Sequence, residues 1–121
     1  MKTNFNDLPW HDAIIQNIAI NRTVSDKNDT VELLITWPNG NNSIIEFTDC
    51  YAFVANMNFG VFAPETILIA ECLNESEELN TIRAKWSSVG VDLQILKCFR
   101  LITNSTNSTI NIYAKNFVVI K

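Results

Sequence analysis

The sequence has 121 residues, 47% of them hydrophobic and 18% charged, and a formal net charge of −4 at pH 7. This length suits one domain covering residues 1–121, and the apolar fraction is that of a globular chain. The nine basic residues are scattered among thirteen acidic ones, so they do not form the clustered positive face that nucleic-acid binding needs. No apolar stretch approaches the roughly 18 residues of a membrane-spanning helix.

The first β-strand is predicted over residues 12–22, because β-branched side chains alternate with polar ones there. Ile14, Ile18 and Ile20 are expected on one face of this strand. An irregular segment precedes it, and the polar residues 23–29 predict a turn after it.

Residues 31–48 predict a β-hairpin. The sequence WPNG at residues 37–40 has a proline at the second turn position and a glycine where a positive φ is wanted, which is typical of a three-residue loop with a glycine bulge. This loop sets Leu33 opposite Ile45, and Val31 opposite Phe47. One face of the hairpin then carries Val31, Leu33, Ile35, Trp37, Ile45 and Phe47. Glu32 falls opposite Glu46 on the other face, where the like charges repel slightly.

Two interpretations stay open for residues 50–58. Cys50, Phe53, Val54 and Met57 recur at helical spacing after Asp49, which predicts a short helix. A further irregular strand fits the same residues almost as well.

A strand is predicted over residues 66–73, followed by a helix. Asn74 and Glu77 resemble a capping box at the start of this helix, and Gly90 is expected to end it. Its narrow apolar stripe consists of Leu79, Ile82 and Trp86.

The remaining sequence predicts β-structure, with a strand over residues 91–102, a turn over residues 104–109 and a last strand. The apolar phase of the last strand changes between Ala114 and Phe117, which predicts a bulge or tight turn near residues 115–116. The first of these strands should place Val91, Leu93, Ile95, Phe99 and Leu101 on one side. The whole pattern indicates a single α+β domain, mostly an antiparallel β-sheet with one or two helices packed on it.

Groups for catalysis are scarce in this sequence. His11 is its single histidine, and Cys50, Cys72 and Cys98 are far apart without a Cys-x-x-Cys pair, which is typical of inert thiols in a reducing compartment. We therefore predict no catalytic residues, no cofactor and no metal site. The alternative is a small ligand-binding domain or enzyme in which His11 acts with Asp7, Asp12 or a thiol.

The acidic residues near the predicted helix form one cluster, Glu71, Glu75, Glu77 and Glu78. The positive end of a helix explains such a cluster without any function. Acids on an exposed helix also suit the basic surface of a protein partner, where complementary charge speeds encounter. These four are the predicted partner-binding residues.

Three segments carry a resemblance to known proteins: LPWHDAIIQNIAI, VELLITWPNGNNSIIEF and STINIYAKNFVVI. The chain resembles the small bacterial immunity proteins of polymorphic toxin systems, and related families of unknown function, across about half of its length. The resemblance implies a compact, non-enzymatic α+β protein that blocks a cognate toxin by occlusion. It transfers no binding residues, because such interfaces differ between pairs.

We therefore expect a protein-binding domain, with immunity as its most specific form, that is a monomer or a homodimer. The opening MKTNFNDLPWHD lacks the apolar core of a secretory signal, so we expect a cytoplasmic location and no membrane partner. A third alternative is a structural homo-oligomer formed by pairing of exposed strand edges.

Overall fold

The structure is a computed structural model that describes residues 4–22 and 29–121. These residues form a 3-10 turn, six strands and one helix. In chain order they are the turn Phe5–Asp7, β1 Ile14–Asn21, β2 Thr30–Thr36, β3 Asn42–Asn56, β4 Ile67–Leu73, the helix α1 Glu77–Ser87, β5 Lys97–Thr103 and β6 Thr109–Ile120. The α+β class with a mostly antiparallel sheet is confirmed. Most of the turn predicted over residues 23–29 lies outside the described residues.

All six strands belong to one antiparallel sheet in the order β1-β2-β3-β6-β5-β4. The sheet curls until its two edges meet. Asp12 N donates to Ile67 O at 2.9 Å, Ile67 N donates to Ala13 O at 2.8 Å, and Ile15 N donates to Glu65 O at 2.9 Å. Near the C-terminal end of β4, the Cys72 N–H donates to the side chain of Asn6 and not to β1.

The main core fills the inner face of the curled sheet. Its buried side chains are Phe5, Trp10, Ala13, Val31, Leu33, Ile35, Trp37, Ile45, Phe47, Ile67, Phe99, Leu101, Ile110, Ile112 and Ala114. A second, smaller cluster lies on the outer face beneath α1 and contains Leu79, Leu93, Leu96, Cys98 and Tyr113. The consecutive residues Cys98 and Phe99 belong to different clusters, as alternation in a strand requires.

The predicted hairpin is confirmed in register and in turn geometry. Leu33 pairs with Ile45, Val31 with Phe47 and Glu32 with Glu46. Gly40 N donates to Trp37 O at 2.8 Å, and Gly40 has a φ of +90°, the left-handed conformation that this bulge requires. The six side chains predicted on one face, Val31, Leu33, Ile35, Trp37, Ile45 and Phe47, are all buried.

Residues 50–56 belong to the long strand β3, so the helical interpretation of residues 50–58 is wrong and the strand interpretation is confirmed. Phe53 pairs with Ile112 of β6. The apolar residues recur at a helix-like spacing because the register shifts between Cys50 and Ala52 and because Asp49 has a φ of +55°. These irregularities break the strict alternation of a regular strand.

A second irregularity corrects the prediction for β1. The β1–β2 register shifts between Ile15 and Asn17. Ile15, Ile18 and Ile20 then lie opposite the inward-facing residues of β2, and Ile14 turns to the other side. The predicted common face of Ile14, Ile18 and Ile20 is therefore wrong at Ile14, since a bulge inverts the alternation of the residues on one side of it.

The start of α1 also differs from the prediction. Ser76, not Asn74, is the N-cap, and its hydroxyl accepts a hydrogen bond from Leu79 N at 3.1 Å. Asn74 instead supplies its backbone carbonyl to Arg83. Gly90, with a φ of +86°, lies in the turn that ends the helix, as predicted.

The strand predicted over residues 91–102 begins later, at Lys97. Residues 91–96 are irregular, Leu93 and Leu96 are buried beneath α1, and Ile95 is 64% exposed. The predicted common side is therefore wrong at Ile95. Leu96 N donates to Leu93 O at 3.1 Å, and this turn directs both leucines into the second cluster.

The last strand, β6, is continuous, so the predicted tight turn near residues 115–116 is wrong. The phase change itself is confirmed, since Ala114 and Phe117 both pack on the main core. Ala114 pairs with Cys50 and Phe117 with Phe47, and β3 changes phase over the same stretch.

Across the described residues, no helix has the length and apolarity needed to cross a membrane.

Candidate functional site

His11 lies at the surface just before β1. Its side chain is 72% exposed, its Nδ1 is 3.4 Å from Leu68 O, and its Nε2 is 3.7 Å from Asp12 Oδ2. His11 and Asp12 approach each other because strand alternation does not apply to them: both residues precede β1, and Asp12 has a φ of +67°. Among the described residues, the polar contacts of His11 involve Leu68 and Asp12, not Asp7 or a thiol.

The three cysteines are free thiols in surroundings that disfavour the thiolate. Burial raises the pKa of Cys50 from 9.0 to about 11, and burial also raises the pKa values of Cys72 and Cys98. Thiols with raised pKa values are poor nucleophiles at neutral pH. Within residues 4–22 and 29–121, no three His, Cys, Asp or Glu side chains are grouped so that they could hold a metal ion.

A groove of 680 Å³ runs between α1 and the outer face of the sheet, and we call it the α1 groove. Its apolar part includes Val54, which is 56% exposed, and Ile82. Its polar part includes Glu77 and Glu78 from the first turn of α1. The full lining is Ala52, Val54, Glu77, Glu78, Thr81, Ile82, Arg100, Asn111 and Tyr113.

The helix wall of the groove is fixed from below by Leu79 and Trp86. Leu79 is fully buried, and the Trp86 ring makes an edge-to-face contact with Tyr51 at 5.2 Å. The predicted stripe of Leu79, Ile82 and Trp86 is thereby confirmed as the face that packs on the sheet. Glu77 and Glu78, in the first turn of the same helix, are left exposed.

Arg83 ties the two ends of the helical segment together. Its guanidinium, with a side chain only 11% exposed, donates to Leu93 O at 3.2 Å, to Asn74 O at 2.9 Å and to Leu96 O at 2.8 Å. It also pairs with Glu75 Oε2 at 3.1 Å. These bonds hold the helix wall of the groove in place.

The four predicted partner-binding residues separate into two groups. Glu77 and Glu78 line the α1 groove, and Glu71 lies directly opposite the groove residue Arg100 in the β4–β5 ladder. Glu75 is instead engaged by Arg83. Glu71, Glu77 and Glu78 thus belong to one surface, whereas Glu75 has a structural ion pair.

Arg100 and Asn111 are groove residues that were not predicted from the sequence. Arg100 Nε donates to Asn111 Oδ1 at 3.0 Å, and the Cys98 thiol donates to the same oxygen at 3.6 Å. Burial, the neighbouring Cys98 thiol and the Glu78 charge raise the pKa of Tyr113 to about 12, so its hydroxyl stays neutral. Strand alternation offered a signal, since Arg100 stands between the inward residues Phe99 and Leu101.

A second missed feature is the loop between β3 and β4, residues 57–65, which we call the aromatic loop. Phe59 is 85% exposed, Phe62 is fully exposed and Val61 is half exposed. The sequence signal was the stretch NFGVFAP, in which two phenylalanines stand among the turn-forming residues Asn, Gly and Pro.

Comparison with known proteins finds no family model and no curated protein that matches the chain.

Proposed function

We propose that the chain is a non-enzymatic, cytoplasmic protein-binding domain that acts by stoichiometric occlusion of a protein partner. Immunity against a cognate bacterial toxin is the most specific form of this proposal. The α1 groove is the observation that carries it, because the groove combines an exposed apolar floor with carboxylates at its rim.

The chemistry of the groove suits a basic side chain of the partner. Lysine and arginine have apolar stems and charged heads. Such a stem would lie on Val54 and Ile82 while its head meets Glu77 or Glu78. Arg100, on the same lining, can donate to a carboxylate or carbonyl of the partner. The groove therefore has separate positions for positively charged and negatively charged groups of the partner.

Occlusion requires no catalytic group, only a shaped patch with a few anchors and a complementary rim. The wall of the α1 groove is preorganised by Arg83 and by the packing of Leu79 and Trp86. A preorganised surface loses less conformational entropy on binding. The net charge of −4 also favours fast encounter with a basic partner at low ionic strength.

The first test is recovery of the partner by co-purification from the native host and mass spectrometry. Binding of that partner is then measured by calorimetry at low and high salt for the wild type and for the double variant Glu77→Lys/Glu78→Lys. We expect the reversal of two rim charges to weaken binding at least about tenfold at low salt, and less at high salt.

The matched control is Glu32→Lys/Glu46→Lys, which makes the same charge change on the hairpin, away from the groove lining. It should leave affinity close to that of the wild type. Equal affinity of the groove variant and the wild type at low salt would reject these acids as an interface. Failure to recover a stable partner, or turnover of a small molecule that is lost in His11→Ala, would contradict the proposed function itself.

A further inference from the structure

The aromatic loop leaves three apolar side chains open to solvent. Phe59 and Phe62 are more exposed than the other large apolar residues of the described chain, at 85% and 106% of the reference area. Val61 between them is 50% exposed. Contiguous exposed apolar side chains on a globular chain mark a contact surface.

Hydrogen bonds hold both ends of this loop against the turn between β5 and β6. Asn58 N donates to Ser108 Oγ at 2.8 Å, and the Asn58 side chain donates to Thr106 O at 3.0 Å. At the other end, Thr106 N donates to Glu65 Oε1 at 3.3 Å, and the Thr106 hydroxyl donates to Glu65 Oε2. The exposed phenyl rings therefore project from a fixed frame.

An apolar groove of 460 Å³ lies beside the projecting rings, between the aromatic loop and β1. Its apolar lining includes Ile15, Ile18, Met57 and Ala63. Beyond Ile15, no described segment pairs with β1 on this side. The patch thus presents a protruding aromatic residue and an open apolar groove next to each other.

We propose that the aromatic loop is a contact between two copies of this chain, in which Phe62 of each copy enters the groove of the other. The same surface carries both the projecting phenyl ring and the groove that can receive it. Two copies related by a twofold axis can therefore make this contact twice, once in each direction. This inference is independent of the α1 groove, which shares no lining residue with the loop groove.

Charge favours a second copy as the occupant. The segments MNFGVFAPE (57–65) and IQNI (15–18) contain one ionisable side chain, Glu65, and its carboxylate is bonded to Thr106. Two such patches therefore meet without like charges facing each other, although each copy carries a net charge of −4.

The area of the patch places this dimer among the small interfaces. An aromatic side chain buries about 150–250 Å², so two phenylalanines, a valine and the groove walls give about 500 Å² per copy and about 1,000 Å² in all. This total is near the lower limit for specific interfaces. We therefore expect a reversible dimer that dissociates at micromolar concentrations.

Sedimentation velocity over about 5–500 µM tests the proposal. The wild type should move from 13.7 kDa toward twice that mass as concentration rises. Phe62→Ser should remain a monomer with unchanged thermal unfolding, since Phe62 is fully exposed. Val89→Ser, which removes another exposed apolar side chain (69%) from the end of α1, should dimerise like the wild type.

A mixing experiment tests the reciprocal geometry. Ala63→Glu places a charge in the groove but keeps Phe62, whereas Phe62→Ser keeps the groove. Each variant alone should be monomeric, and an equimolar mixture should partly dimerise through the one intact contact.

A wild type that stays monomeric at every concentration, or a Phe62→Ser variant that dimerises equally well, overturns the proposal. Binding of a monomeric wild type to phosphatidylcholine vesicles, lost in Phe62→Ser, would assign the loop to a lipid surface and overturn it as well.

Discussion

Arg83 and Arg22 show how differently two arginines act in this fold. The Arg83 side chain is 11% exposed and bonds four backbone carbonyls, whereas the Arg22 side chain is 82% exposed and contacts Asp29 at 3.5 Å. Exposed ion pairs contribute little to stability, whereas removal of Arg83 would leave half-buried carbonyls without a donor. In the sequence both are scattered basic residues of the same kind, because residue type alone does not reveal burial.

Cys50 should react slowly with alkylating reagents in the folded chain. Burial raises its pKa from 9.0 to about 11, so the thiolate fraction near pH 8 falls about 100-fold. The rate of iodoacetamide labelling of the Cys50 peptide, followed by mass spectrometry, should rise to that of free cysteine when urea unfolds the chain. Labelling of the folded chain at the free-cysteine rate would contradict this assignment.

The same shift has a consequence for stability. A thiol with a raised pKa holds its proton more tightly in the folded state, so its contribution is fully present below about pH 9 and is lost as pH rises toward 11. The variant Cys50→Ser should show a smaller loss of unfolding free energy over this window than the wild type.

The predicted elements succeeded where local chemistry decides the structure. The prediction of the hairpin was correct because the sequence WPNG favours one turn type and the apolar pattern favours the register that this turn produces. Residues 50–56 could not be settled locally, because their partner strand lies about 60 residues further along the chain. For the same reason, only part of the lining of the α1 groove was predicted. Glu77 and Glu78 were named from the sequence, whereas Arg100 and Asn111 come next to them only through sheet pairing.

Two candidate caps for α1 make an element-scale test. Ser76→Ala should lower the unfolding free energy by about 1 kcal/mol, because the Leu79 N–H loses its acceptor. Asn74→Ala should cost less, since its backbone carbonyl still accepts from Arg83. Urea denaturation of both variants measures the difference, and a larger loss for Asn74→Ala would restore the capping box predicted from the sequence.

At the scale of the whole molecule, the segment before β1 completes the core. The Phe5 ring lies 4.7 Å from Trp10 and 5.0 Å from Phe99, and Trp10 lies 5.1 Å from Trp37. The sequence predicted an irregular lead-in here, because this segment has no local periodicity. Its burial follows from the curling of the sheet, which long-range pairing controls.

Phe5→Ala should therefore lower the unfolding free energy by about 3–5 kcal/mol, since Phe5 is 2% exposed in the main core. Phe59→Ala is the matched control, because Phe59 is 85% exposed, and at low protein concentration it should cost less than about 0.5 kcal/mol. Equal losses in urea denaturation would show that the N-terminal segment does not pack as described.

The position of β6 has a consequence for synthesis on the ribosome. β6 follows every other strand in the chain, yet it lies between β3 and β5. In a nascent chain that has emerged only as far as β5, the β1–β3 and β4–β5 parts of the sheet are joined only by the few bonds between β1 and β4. Each part has an open edge where β6 will lie. Such edges invite pairing with neighbouring polypeptides, so cooperative folding has to await translation of the last strand.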